Sequence, residues 1–248
     1  LYWFFHVNAF LMKRGFLKIK RTLKSRLKLF LFKSGFTLKN IYHLAARLGL
    51  GRSRQALDAK RSKRKLLTRL FLSFEDVDWG RTVAYSRGYI GQIFINLKGR
   101  EPEGMVAPGA AQKKVEDEII EELKKIMIPG TSRPLVKAVY RSEELYRGEF
   151  ADRAPDITFL NDNLEAVAFG NFEFTSRNEI EKAYRGISGH HRMDGVYLFS
   201  GPAFHEKGES RQLNIHDLAP LILRLYNCPS GSAMDGEIPL DLLKGDMR

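Results

Sequence analysis

The stretch VAYSRGYIGQIFINL, from Val83 to Leu97, is rich in β-branched and aromatic residues and carries glycines at positions 88 and 91. It predicts two strands around a turn or bulge, because such side chains favour strands and glycine favours chain reversal. Residues 98–109 hold three glycines and two prolines, which predicts a loop. From Ala111 to Met127 apolar residues recur at helical spacing and predict a helix. A strand pair followed by a helix is the first indication of an α/β fold.

The same alternation continues along the chain. Short strands are predicted at Leu135–Arg141, Asp156–Leu160 and, more weakly, Ala166–Phe174. The run Asp194–Ser200 contains four consecutive apolar residues, which is typical of a strand covered on both faces of a sheet. A helix is predicted over Ile215–Tyr226, with Asp217 placed to cap it. Strands that alternate with helices predict α/β architecture.

Charge is distributed unevenly over the 248 residues, whose net charge is +12. Residues 1–73 contain 19 Lys and Arg and one acid, Asp58, whereas residues 74–248 contain 22 basic and 28 acidic residues. The sequence therefore predicts a basic, mainly helical insert or cap over 1–73. The α/β domain is predicted over 74–248.

Three interpretations of the basic segment stay open. Its residues Ile19, Leu23, Leu27 and Phe30 recur at helical spacing, and a second basic stretch covers 60–65. The apolar stripe would pack on the main domain in the first interpretation. The segment would attract anionic substrates or nucleic acid in the second, although no nucleic-acid-binding motif supports it. In the third, residues 13–33 would lie on an acidic membrane surface.

A single cysteine, Cys228, excludes an intramolecular disulfide and any multi-cysteine metal site. Free cysteines are usually buried, so we expect Cys228 in the core. The most apolar run, Leu1–Met12, is much shorter than the ~20 residues that span a bilayer. These features predict a soluble, cytoplasmic protein.

Side chains that could bind a metal or act in catalysis are concentrated in Ser188–Gly195. This stretch contains two histidines, an arginine and an aspartate between glycines. Imidazole is a common zinc ligand, but adjacent residues of an extended chain point to opposite sides. One histidine of the pair, His190 or His191, is therefore the better candidate for a metal ligand. The stretch His205–Glu209 is read as an exposed turn. His6 and His43 have no polar neighbours in sequence and are read as structural or surface residues.

Three stretches, in the order in which they occur along the chain, resemble the type I phosphodiesterase/nucleotide pyrophosphatase branch of the alkaline phosphatase superfamily. The resemblance is carried by Phe74–Ser86 running into Gly91–Pro102, by Gly189–Gly195, and by Ile215–Pro220 followed by Met234–Gly236. Family members have a Gly-x-His loop before a buried strand, then a Gly-Pro step, an Asp-x-Ala-Pro helix and a Met-Asp-Gly. The resemblance implies that this chain is the C-terminal portion of an alkaline-phosphatase-like α/β/α sandwich. The match is good over residues 76–243 and loose over 1–73.

The resemblance also implies a chemistry. The family hydrolyses small phosphate esters through a Thr or Ser nucleophile and two divalent metals, typically zinc. The histidine of the Gly-x-His loop is one of the metal ligands, and it corresponds to His191, with His190 at the variable position.

The resemblance implies that much of the site is missing from this chain. The nucleophile and an Asp-His-Gly motif lie upstream of the matched region in the family, and this sequence contains no Asp-His-Gly. We therefore expect an enzyme fragment that is inactive and binds no metal tightly by itself. The alternative is a non-catalytic basic module that binds anionic membrane or nucleic acid.

Overall fold

The computed structural model describes residues 3–47, 69–161, 166–170, 174–183, 193–205, 212–229, 231 and 233–245. Within these ranges the chain is a mixed α/β structure with two small sheets and six α-helices. Chain contacts divide it into two units, 1–192 and 193–248. The division predicted from charge, at 73/74, stays a prediction.

The elements follow one another in this order along the described chain. The helices are α1 (Val7–Arg14), α2 (Leu23–Lys33), α3 (Leu38–Arg47), α4 (Ala110–Lys124), α5 (Ser142–Leu145) and α6 (Leu218–Leu225). The strands are β1 (Trp3–His6), β2 (Ala84–Ser86), β3 (Gln92–Ile95), β4 (Val136–Arg141), β5 (Ile157–Asn161), β6 (Ala166–Phe169) and β7 (Ile180–Lys182). Short 3-10 turns cover Phe74–Asp76, Trp79–Arg81, Ala151–Arg153, Ile215–Asp217 and Leu240–Leu242.

The three-stranded sheet has β1 at its centre, parallel to β6 and antiparallel to β7. Phe4 and Phe5 of β1 point to opposite faces and are both fully buried, so this sheet is covered on two sides. The basic segment therefore contributes the central strand of a sheet whose other strands come from the later part of the chain.

The four-stranded sheet is antiparallel throughout, in the order β2-β3-β5-β4. Helix α4 buries Ile119 and Leu123, while Glu118 on its other face is exposed, as the helical period predicted. The strands predicted at 135–141 and 156–160 are confirmed within one residue at each end. Gly91 is required between β2 and β3, because a Cβ there would stand 2.2 Å from the carbonyl oxygen of Phe159.

The second unit contains α6 and the 3-10 turns on either side of it. The predicted helix at 215–226 is confirmed as the turn Ile215–Asp217 followed by α6. The buried strand predicted at 194–200 is wrong. These residues form no strand in the described chain, and Val196 and Leu198 are almost fully exposed.

The physical reason for that error is visible in the side chains. Tyr197 and Phe199 pack on each other, with centroids 5.0 Å apart, and Phe199 stacks on Phe204. Even so, Tyr197 is 36% exposed and only Phe199 of the run is partly buried, so the run is not covered as a strand inside a sheet would be. A continuous apolar run predicts burial on both faces only when strands pair on either side of it.

Candidate functional site

The predicted metal ligand His191 lies in 184–192, outside the described residues. His190 lies there too, and so does most of the glycine-flanked cluster. Asp194, the acid of the same cluster, is described and is exposed. Among the described residues, no three His, Cys, Asp or Glu side chains gather into a group that would hold a metal. The role of His191 therefore stays a prediction.

The two histidines of the second unit that the structure describes lie on the surface. His205 and His216 are both exposed, and Asp217 serves the start of its helix, accepting the backbone N–H of Asn214 at 2.9 Å. The N-cap of this turn is Asn214, and Asp217 contributes to the capping box as its third residue rather than as the cap itself. The expectation of a buried Cys228 is wrong, because this cysteine follows α6 and is exposed. The part of the chain that the structure describes contains no helix long and apolar enough to cross a membrane.

Two motifs of the phosphodiesterase resemblance are in direct contact. Asp217, from the Ile215–Pro220 stretch, accepts a 3.0 Å hydrogen bond from the backbone N–H of Glu237, which follows Met234–Gly236. Gly236 lies against the main chain of the first motif, since a Cβ on it would stand 2.0 Å from the carbonyl oxygen of His216. The two motifs therefore form one local unit, and the glycine is required by a close backbone approach.

The first stretch of the resemblance also has a structural explanation. Arg100 donates to both oxygens of Asp156, at 3.1 and 2.6 Å, and to the carbonyl of Ile95 at 2.7 Å. Asp156 is buried and also accepts the backbone N–H of Ile95. Burial lowers the pKa of Arg100, but the hydrogen bonds that it donates to Asp156 and Glu101, together with their charges, outweigh burial and raise that pKa overall. This bidentate pair holds the loop after β3 against the start of β5.

A buried polar cluster lies at the carboxyl ends of the parallel strands β1 and β6. His6 Nε2 is 2.9 Å from Glu181 Oε1, and its Nδ1 is 3.2 Å from the hydroxyl of Thr175. Glu181 also accepts hydrogen bonds from Ser176, at 3.0 Å, and from Lys39. His6, which the sequence analysis read as a structural or surface residue, is therefore a buried residue whose polar partners come from distant parts of the chain. The carboxyl ends of parallel strands are a usual place for sites in α/β proteins.

The chain Thr175–His6–Glu181 has the connectivity of a catalytic triad, with hydroxyl and carboxylate on opposite ring nitrogens. The space beside it has only about 10 Å³, which is at most the room for one water. His6, Thr175 and Glu181 are all buried. Burial raises the pKa of Glu181, but the bonds from His6 and Lys39 outweigh it and lower that pKa below its usual value. With no room for a substrate, the cluster is a structural network.

No signal in the sequence points to this network. His6 and Glu181 are separated by 175 residues, and neither belongs to a recognisable motif. They meet only because β1 and β7 pair in one sheet, with Phe4 opposite Glu181. Such a partnership follows from topology, which residue spacing does not reveal.

Helix α2 does not bury the face that the first interpretation of the basic segment predicted, in which the apolar stripe packs on the main domain. Leu23, Leu27 and Phe30 are 85%, 60% and 65% exposed, so these three residues of the predicted stripe do not pack on the domain, whereas Ile19, which precedes the helix, does. The buried face carries Ser25, Lys28 and Phe32 instead. The basic stretch 60–65 lies outside the described residues.

Basic side chains border the exposed stripe of α2. At about 100° per residue, Leu23, Leu27 and Phe30 fall within an arc of about 60°. Lys24 lies on one side of this arc and Arg26 on the other, and both are exposed. The stripe and its two basic borders are called here the α2 face.

Comparison with protein-family models, curated proteins and solved structures finds no match to this chain. The motifs quoted above are therefore the whole basis for relating it to phosphodiesterases.

Proposed function

We propose that this chain is the C-terminal part of a metal-dependent phosphodiesterase or nucleotide pyrophosphatase with an alkaline-phosphatase-like α/β/α architecture. The observation that carries the proposal is the order of the motifs in the sequence. The close approach of Gly236 to His216 supports it, since residues of two matched motifs depend on each other. The mixed α/β structure is compatible with that architecture.

His191 is the residue of this chain to which the proposal gives a direct role, as one metal ligand. In the family, two divalent metals activate the nucleophile and stabilise charge on the transferring phosphoryl oxygens. The described residues do not form such a centre by themselves. Its nucleophile and other ligands would come from sequence upstream of the matched region, and the substrate would be a small phosphate ester.

The test uses the complete natural protein, loaded with zinc, and bis(p-nitrophenyl) phosphate as substrate. His191→Ala should lower turnover by at least about 100-fold, because even a partner behind a metal ligand is worth about 10–100-fold. The neighbouring His190→Ala is the matched control and should retain turnover. A folded, zinc-loaded protein that cleaves no phosphate or sulfate ester would contradict the proposal, as would equal losses in the two variants.

We further propose that the α2 face docks on an anionic membrane surface. The observation that favours this second function is the exposure of Leu23, Leu27 and Phe30 on a helix whose polar side faces the core. A helix with an apolar stripe between basic borders lies at a lipid interface with its stripe among the acyl chains. The positive charge of the segment favours anionic lipid, because residues 1–73 contain 19 basic residues and only one acid.

Other occupants of the α2 face are disfavoured by the same charges. A second copy of the segment, or residues 60–65 of this chain, would bring positive charge against positive charge. Nucleic acid would satisfy the charges but would leave the three apolar side chains in water. Acidic lipid satisfies both parts of the face.

Vesicle co-sedimentation tests this function. Binding should occur with phosphatidylglycerol-containing vesicles, fall with added salt, and be weak on phosphatidylcholine alone. Lys24→Glu should weaken it by more than about fivefold, since each basic residue near the surface is worth about 1 kcal/mol. Leu27→Ser should also weaken it, whereas Leu145→Ser, at an exposed leucine of α5, should not. Salt-sensitive binding to oligonucleotides with none to vesicles would overturn the assignment.

A further inference from the structure

A cavity of about 270 Å³ opens in the first unit between the two 3-10 turns after Ser73, strand β2 and the loop that follows β3. Its lining includes three aromatic residues, Phe74, Trp79 and Tyr85, and two acids, Glu101 and Glu103. None of the motif roles discussed above uses this space. It is large enough for a small headgroup but not for an extended ligand.

The three rings are almost mutually perpendicular. Phe74 and Trp79 meet at 89°, Phe74 and Tyr85 at 89°, and Trp79 and Tyr85 at 86°. The ring centroids are 5.5, 6.3 and 5.3 Å apart in the same order. Because the three centroids lie within 6.3 Å of one another, a cation bound beside all three rings would be in the range of about 6 Å that a cation–π contact needs. All three rings are partly buried, because they pack against the core of the unit on one side and line the cavity on another.

The charges of the cavity favour a cation. Two carboxylates, Glu101 and Glu103, and one guanidinium, Arg87, line it, so the lining side chains sum to −1. Glu101 is held in place by Arg100 Nε at 3.1 Å and by the hydroxyl of Tyr85. One acid is therefore fixed beside an aromatic wall.

The cavity is organised in advance by a single buried amide. The Nδ2 atom of Asn96, which is 1% exposed, donates to the carbonyls of Trp79 at 2.8 Å, Thr82 at 2.9 Å and Glu103 at 3.1 Å. The same side chain thus positions an aromatic wall and the acidic loop opposite it. A preformed site loses less entropy when it binds a ligand.

We infer that this cavity binds a quaternary ammonium headgroup of the choline type, with its methyl groups against Phe74, Trp79 and Tyr85 and its charge balanced by Glu101 and Glu103. Aromatic faces attract a cation whose hydration is weak, and trimethylammonium groups are weakly hydrated. Ammonium ions that must shed a strong water shell gain less from such walls. The inference is independent of the proposed esterase activity and of membrane docking.

Calorimetric titration with choline tests the inference. Choline should bind at least about fivefold more tightly than its neutral isostere, in which carbon replaces the ammonium nitrogen, since a cation–π contact is worth about 1 kcal/mol. Glu103→Gln and Trp79→Ala should each weaken binding, while Tyr85→Phe, which keeps the ring, should retain most of it. Glu75→Gln is the matched control, because Glu75 is an exposed acid next to Phe74 that does not itself line the cavity.

Glu103→Gln still tests the inference if Trp79→Ala folds poorly, because Glu103 is exposed and its replacement should leave the fold intact. Equal binding of choline and the neutral isostere would overturn the inference, as would equal losses in Glu103→Gln and Glu75→Gln. Tighter binding of a trimethyl-lysine peptide than of choline would reassign the cavity to a protein partner.

Discussion

Lys28 of helix α2 and Asp76 form a buried ion pair, with Nζ 2.8 Å from Oδ2 and side chains only 5% and 4% exposed. Ser25 donates to the other carboxylate oxygen at 2.9 Å, and the backbone N–H of Ser73 donates to Oδ2 at 3.2 Å. These bonds fix which side of α2 faces the core. Leu23, Leu27 and Phe30 stay in solvent because the opposite face of α2, with Lys28 and Ser25, binds Asp76 in the core.

Removal of the Lys28 charge should therefore be costly. Lys28→Met keeps the aliphatic length but leaves Asp76 buried without its cation, and breaking such a pair costs about 3–5 kcal/mol. We expect urea unfolding to show a loss of about 3 kcal/mol in the free energy of unfolding. Lys24→Met, on the exposed side of the same helix, should change it by less than about 0.5 kcal/mol. Equal effects of the two variants would mean that the ion pair does not anchor the helix.

The orientation of α2 shows what the sequence could and could not predict. The helical period of Ile19, Leu23, Leu27 and Phe30 indicated a helix, and the structure has one at Leu23–Lys33. The period alone does not say which face is buried when a distant carboxylate competes for the polar side. Only the position of Asp76, 48 residues beyond Lys28, decides it.

The strands of the four-stranded sheet and helix α4 were predictable because their signals are local. The β-branched and aromatic residues of Gln92–Ile95 indicate a strand, and the helical period of Ala110–Lys124 indicates a helix. The network of His6 and Glu181 and the ring arrangement around Trp79 depend on which elements meet. Nothing within a short window of sequence encodes such meetings, so these candidate sites emerge only from the fold.

Gly236→Ala tests the contact between the two C-terminal motifs. A Cβ at this position would stand 2.0 Å from the carbonyl oxygen of His216, so the backbone must shift, and overpacking of this kind costs about 1–3 kcal/mol. We expect faster amide hydrogen exchange at Glu237, whose N–H is bonded to Asp217. Gly231→Ala is the control, because a Cβ there meets no atom within 4 Å. Unchanged exchange at Glu237 in the first variant would contradict the contact.

Glu181→Gln tests the buried network. It removes the carboxylate that His6, Lys39 and Ser176 share, and should lower the free energy of unfolding at neutral pH by about 3 kcal/mol. Glu121→Gln, which breaks an exposed pair with Lys124, should cost less than about 1 kcal/mol.

The pH dependence of stability gives a second readout for Glu181. Its pKa in the folded protein lies below the ordinary value of 4.5, so its stabilisation is fully present above pH 4.5 and is lost as the pH falls through the folded value. The Gln variant should therefore show a flatter fall of stability below pH 4.5. A variant that loses stability as steeply as the parent protein would show that another group titrates.

Tyr85 provides a test of the aromatic cavity that needs no ligand. Burial, followed by the charge and hydrogen bond of Glu101, raises the pKa of this phenol from 10.0 to about 12. One of the nine tyrosines should therefore ionise late in an ultraviolet titration. Because the folded pKa lies above the unfolded one, the stability due to this proton is present below pH 10 and is lost as the pH rises through about 12.

Variants assign the late-titrating tyrosine and separate the causes of its shift. Tyr85→Phe should remove the late component, whereas Tyr226→Phe, at an exposed tyrosine, should leave it in place. Glu101→Gln should move it toward pH 10 without reaching that value, since the charge of Glu101 is gone but burial against Trp79 and Phe74 remains. An unshifted component in Glu101→Gln would show that the carboxylate does not face the ring, and the cavity would then lack the acid that its cation needs.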